Sequence, residues 1–120
     1  MGWAGINTRK TVRVSFECTV IVKKARSSLV FHSATENMSM GGVCVILEKE
    51  LLRKTPVEIE LSLPDDLPPV KCTGKIMWSA KRNKYTKKKA SQFDTGIEFI
   101  EVSDQDRSRI KRIIDELLEY

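Results

Sequence analysis

The sequence predicts a mainly β protein: an antiparallel β-barrel of six or seven strands, closed by one C-terminal α-helix. Three observations carry this. Apolar and polar residues alternate with period two through most of the chain, which is the mark of half-buried strands. The alternating runs are short and separated by turn-forming residues at close intervals, as in barrels and sandwiches. Only the C-terminal stretch repeats its apolar residues at helical spacing. Closing the sheet also removes the exposed edges that an open one would present.

Taken in order, residues 1–8 contain Gly2 and Gly5 and no periodicity, and read as a loose arm ahead of a single domain over residues 9–120. From Val12 the pattern turns strict. Val12, Val14, Phe16, Cys18, Val20 and Val22 share one face of a strand, while Arg13, Ser15, Glu17, Thr19 and Lys23 lie on the other. Residues 24–27 make a turn and residues 28–35 return as a second strand. A polar loop beginning at Asn37 leads into the apolar run Val43-Cys44-Val45-Ile46-Leu47. Residues 51–55 read as a connection with one helical turn, before alternation resumes at residues 57–63. Pro64, Pro68 and Pro69 bracket an acidic turn, because proline cannot donate to a sheet ladder. Residues 70–80 and 93–102 are the last two strands, joined by a long polar loop. Ser103 then caps a helix with Asp104 and Asp106 in its positive first turn. Ile110, Ile113, Ile114, Leu117 and Leu118 form its apolar stripe, and the stripe is expected to be buried.

At 120 residues the chain can bury one core. No run approaches the roughly 18 apolar residues of a membrane span, and the N-terminus lacks the apolar stretch of a secretory signal, so a cytoplasmic location is expected. Cys18, Cys44 and Cys72 are odd in number, far apart and set in apolar runs. They read as reduced structural thiols, with no metal site. Trp78 sits in an apolar strand and is expected in the core, and His32 has no ligand or catalytic partner at a useful spacing.

The formal charge of +5 is unevenly placed. Lys81, Arg82, Lys84, Lys87, Lys88 and Lys89 fall in one acid-free segment, and Arg9, Lys10 and Arg13 make a second focus. Two basic foci on a nearly neutral body point to an anionic partner. Arg9 and Arg13 are four apart, and their guanidinium forks can grip phosphate oxygens, stack on a purine or read the O6/N7 edge of guanine. Asn37, Ser39 and Gly42 combine an amide, a hydroxyl and a residue free to adopt φ > 0 or to approach a ligand closely. Replacing Gly42 is therefore expected to harm binding more than folding.

The two motifs, R-x-x-x-R at Arg9/Arg13 and N-x-S-x-x-G at Asn37/Ser39/Gly42, resemble in this order the signature of PilZ domains, bacterial receptors for cyclic di-GMP. The resemblance extends to Gly74-Lys75-Ile76-Met77-Trp78, to Thr95-Gly96-Ile97-Glu98-Phe99 and to the terminal helix, and so covers nearly the whole chain. It implies cyclic di-GMP as ligand, held by Arg9, Arg13, Asn37, Ser39 and Gly42. The glycines of the arm and the mutual repulsion of Arg9 and Arg13 further lead us to expect that the arm changes conformation on binding and signals to a partner macromolecule, expected to be a protein. The family commonly has Asp where Asn37 stands, and Asn removes a negative charge near the phosphates.

No nucleophile, general base or metal cage is legible, so an enzyme is not expected. Two other readings remain open at this stage: a PilZ-like interaction module that binds no nucleotide, and a basic barrel that binds single-stranded nucleic acid through residues 81–89. Tyr85 is the only aromatic in that segment, whereas such readers interleave several with their basic residues. This argues against nucleic acid as the partner.

Overall fold

The computed structural model describes residues 12–82 and 91–118. Strands β1 (Val14–Ser15), β2 (Thr19–Lys24), β3 (Val30–Met38), β4 (Gly42–Leu47), β5 (Pro56–Leu61), β6 (Val70–Lys81) and β7 (Phe93–Glu101) precede helix α1 (Asp104–Leu118). The order β3-β2-β5-β6-β7-β4, closed by pairing of β4 with β3, makes a six-stranded antiparallel barrel. The seventh strand, β1, pairs with β3 outside the closed ring. Inward residues Val20, Val22, Leu47, Val57, Ile59, Leu61, Val70, Ile76 and Ile97 fill one continuous core.

The single long strand expected from Val12 is interrupted at residues 16–18. Between the pairs Ser15–Asn37 and Thr19–Ala34, the first strand advances four residues while β3 advances three. That extra residue is a β-bulge. Thr35 holds it: its hydroxyl donates to the Phe16 carbonyl at 2.6 Å and accepts from the Cys18 N–H at 3.0 Å. A second bulge lies on the other edge of β3, where Thr35 opposes Val45 but Asn37 opposes Cys44, leaving Glu36 as the extra residue.

These bulges decide which side chains face out. Simple alternation would put Asn37 on the same face as Thr35, which is buried. The extra residue shifts the phase, so that Met38 enters the core in one row with Val14, Val43 and Ile97. Asn37 is thereby turned outward.

Two other expectations change. Residues 51–55 contain no helical turn; Lys54 adopts φ 73° and donates its N–H to the Ile76 carbonyl, continuing the edge of β6. The α1 stripe is buried only at Ile110, Ile113 and Ile114, while Leu117 and Leu118 are exposed. The helix lies against β1 and outruns the core it covers. Its start is as expected, with the Asp106 N–H donating to Ser103 Oγ at 3.1 Å. Arg109 forks onto Asp65 with two 2.9 Å bonds and tethers α1 to the β5–β6 turn.

Candidate ligand-binding face

Arg13 stands one residue before β1 and crosses to the end of β3. Its Nε donates to Asn37 Oδ1 at 2.8 Å and its Nη1 to Ser39 Oγ at 3.1 Å. Residues far apart in sequence are thus joined in one polar cluster, because the bulges bring Asn37 to the outer face beside β1. Ser39 is fully buried. Its hydroxyl also accepts from the Gly41 N–H at 3.2 Å, and its own N–H donates to the Gly42 carbonyl at 2.9 Å, so it fixes both the β3–β4 turn and the arginine. Burial lowers the Arg13 pKa, opposed by the nearby Cys44, yet a guanidinium stays charged throughout the neutral range.

Of the other residues expected at the site, Arg9 lies outside the described residues. Gly42 is placed differently from expectation. It is the first residue of β4, buried, and its φ is not positive. A Cβ there would come within 3.1 Å of the Ile97 carbonyl carbon and 3.2 Å of Glu98 Cα, and closer still to Ile97 O. Glycine is needed here for the approach of β4 to β7.

Beyond Arg13 the outward row runs Asn37, Cys44, Gly96, Trp78 across β3, β4, β7 and β6. Trp78 is not in the core: it is 37% exposed, and its indole lies where a side chain on Gly96 would be. A glycine inside a strand pattern signals such close approach, and Gly96 was the available clue. All three cysteines are free, as expected. Burial, and then the charge of Glu36, push the Cys44 thiol up to about 12, which keeps it protonated near neutral pH.

A charged group that the motifs did not indicate flanks this row. Glu36 Oε1 lies 3.4 Å from the Cys44 thiol, and Arg82 stands 3.6 Å from Glu36 and 3.7 Å from Asp94. Burial and the neighbouring Asp94 carboxyl raise the Glu36 pKa, while its bond to Cys44 and the charge of Arg82 oppose this. Asp94 Oδ1 is buried and accepts no hydrogen bond among the described residues. No group of three metal-ligating side chains forms among them either. The face therefore offers a pinned guanidinium at one end, an exposed indole, and carboxylate acceptors along one flank.

The described residues thus form a closed antiparallel barrel with an arginine held by an N-x-S turn at its closing seam. The chain belongs to the PilZ family, whose domain model matches residues 7–116. It is similar in fold to the PilZ domain of YcgR from Escherichia coli, solved with c-di-GMP, at TM-score 0.71 and 18% identity, covering 91% of this chain and 90% of that one. The inhibitor of motility MotI/DgrA of Bacillus subtilis matches at TM-score 0.69 and 15% identity over 92% of this chain, which spans about half (52%) of that protein. MrkH, described as a c-di-GMP-dependent transcription regulatory factor, matches at TM-score 0.66 and 13% identity over 93% of this chain and 52% of its own. No curated protein matches the sequence significantly.

Proposed function

We propose that this chain is a cyclic di-GMP receptor that acts in the cytoplasm and passes the signal to a protein partner through its N-terminal arm. The observation that carries the reading is the pinning of Arg13 by Asn37 and Ser39 at 2.8 and 3.1 Å. Held at Nε and Nη1, the fork has a fixed plane, so a phosphate or guanine edge meets a preorganised donor array. Likeness to PilZ domains solved with c-di-GMP supports that ligand. Among the described residues no helix is long and apolar enough to cross a membrane.

In this reading Arg9, outside the described residues, joins Arg13 on the ligand. The arm then becomes a fixed surface that a partner recognises, at a cost of about 1 to 2 kcal/mol for each residue ordered. Hydrogen exchange with and without ligand reads this directly, with protection expected over residues 5–13 and 36–43.

Calorimetric titration with cyclic di-GMP, against GTP and GMP, tests the binding itself. Arg13→Ala should weaken binding by about 1.5 to 3 kcal/mol, the worth of a hydrogen bond to a charged group, or roughly 10- to 150-fold. Unchanged affinity in that variant, or no heat with the wild type, overturns the reading.

A further inference from the structure

Glu36 and Asp94 have no assigned part in the motifs, yet they lie on the same face as Arg13. We infer that these two carboxylates read the bound base, accepting the N1–H and N2–H₂ donors that guanine presents on its Watson–Crick edge. The inference rests on the reading of the chain as a cyclic di-GMP receptor, and names how that site tells guanine from other bases.

Position is the first support. Glu36 is the extra residue of the β3 bulge and immediately precedes Asn37, which accepts from Arg13. Its carboxylate reaches over β4 to the Cys44 thiol at 3.4 Å, and Cys44 lies in the outward row between Asn37 and Gly96. Asn37 and Gly96 are two strands apart, roughly 10 Å. Over that span the row is floored by a cysteine and a glycine, small enough for a planar base to lie close to the sheet, with the Trp78 indole beside it. A base placed there meets Arg13 on one side and the acids along its edge.

The second support is hydrogen-bonding capacity. An ionised carboxylate only accepts, with several lone-pair sites on its two oxygens. At 3.6 and 3.7 Å the contacts to Arg82 are ion pairs, longer than hydrogen bonds. Glu36 receives a weak thiol donor and its carboxyl faces that of Asp94, whose side chain is 34% exposed, so acceptor sites remain open to the face. A carboxylate's exposed lone pairs can take further donors. Guanine supplies the missing donors from a rigid plane. Adenine offers only its N6 amino group there, and its N1 is an acceptor that would face a carboxylate.

The third is charge. Among the described residues, two carboxylates against one guanidinium leave an acidic spot beside Arg13, which would repel phosphate placed on it. The same spot suits the donor edge of a base, so the charge pattern sets the ligand's orientation: phosphate toward Arg13, base edge toward Glu36 and Asp94. Arg82, at the base of the β6–β7 hairpin, is the positioning residue that holds both carboxylates on the face.

The test uses the full chain and three ligands: cyclic di-GMP, its inosine analogue cyclic di-IMP, which lacks the N2 amino group, and cyclic di-AMP. The wild type should prefer cyclic di-GMP to cyclic di-IMP by about tenfold or more, as loss of a hydrogen bond to a charged group implies. The isosteric variants Glu36→Gln and Asp94→Asn should remain folded by circular dichroism and reduce that preference to within about threefold, while Lys71→Ser, remote on β6, keeps it. Equal affinity of the wild type for cyclic di-GMP and cyclic di-IMP overturns this inference and leaves the receptor reading intact. So does an undiminished preference in both variants. No binding of any of the three ligands overturns the receptor reading, and this inference with it.

Discussion

Substituting alanine for Gly42 and, separately, for Gly96 asks whether a glycine serves the fold or the ligand face. Both positions leave no room for a Cβ, but what stands in the way differs. At Gly42 the obstacle is the backbone of β7, with the Ile97 carbonyl carbon at 3.1 Å and Glu98 Cα at 3.2 Å. Backbone has no rotamer to change, so β4 must draw back from β7 at the end where the barrel closes. The bonds next in line are Phe99 N–H to Gly41 O at 2.8 Å and Ser39 N–H to Gly42 O at 2.9 Å. Ser39 and Gly42 are buried, and leaving that N–H and carbonyl unpaired costs about 1 to 3 kcal/mol each, so Gly42→Ala should lose about 2 to 5 kcal/mol. With a urea slope of about 1.5 kcal/mol/M, the midpoint should fall by roughly 1.5 to 3 M. That is a large share of the 5 to 15 kcal/mol typical of a domain. At Gly96 the obstacle is the Trp78 indole, a side chain 37% exposed that can swing outward. Gly96→Ala should therefore cost only about 1 kcal/mol, the worth of a displaced aromatic contact. It should also change Trp78 fluorescence without unfolding the protein. Paired urea melts followed by far-ultraviolet circular dichroism measure both. A Gly42→Ala midpoint no lower than that of Gly96→Ala would refute the argument.

Two pH-dependent variants follow from the ion pairs. Asp65 is held below the usual carboxylate range by its hydrogen bonds to Arg109, against the opposing effect of burial. Its stabilisation is present above the ordinary carboxylate value and lost as pH falls through the depressed one; Asp65→Asn should cost about 1 kcal/mol near neutrality, as for a partly covered ion pair, and the gap to wild type should close in acid urea melts. Glu36 shifts the other way, raised by burial and by Asp94 against Cys44 and Arg82. Its ionised form is the strained one, so stability should fall as pH rises from the ordinary glutamate value through the raised one, and Glu36→Gln should flatten that segment of the melting-midpoint curve and leave the protein no less stable at neutral pH. A Glu36→Gln variant that melts earlier at every pH would show that the carboxylate supports the fold.

Much of the barrel was legible because its information is local. Val20, Val22, Ile59 and Leu61 face inward on period two, and Ser103 caps α1 as its residue type and position imply. The bulges were not legible, since they depend on the Thr35 hydroxyl meeting Phe16 and Cys18 across the sheet, which no count along one strand contains. That omission is what misplaced Asn37, a loop residue by composition but the penultimate residue of β3 in the structure. Trp78 failed for another reason: Ile76-Met77-Trp78 is an apolar run, and the bulge between Ile76 and Trp78 sends the first into the core and the last onto the surface. The binding motif was visible only as two patterns. Their union through Arg13 is a tertiary fact, and Glu36, Asp94 and Arg82 carry no motif at all.

In the proposed receptor reading, the position of the candidate site on the barrel bears on how binding would be felt elsewhere. Most of the barrel strands pair with a neighbour along each edge, so a pull on one of them is resisted on both sides. β1 is two residues long, pairs among the described residues with β3 alone, and lies against α1. Arg13 immediately precedes it and is bonded to the far end of β3 by its side chain, which does the work of a missing ladder rung. Low-stability elements are where a modest binding energy can shift a conformational equilibrium. In the proposed receptor reading the ligand meets the Arg13 fork while Asn37 and Ser39 hold it, so the load of binding would fall first on β1. The two bulges thus have a double effect. They turn Asn37 outward to meet the arginine, and they interrupt the long strand between β1 and β2.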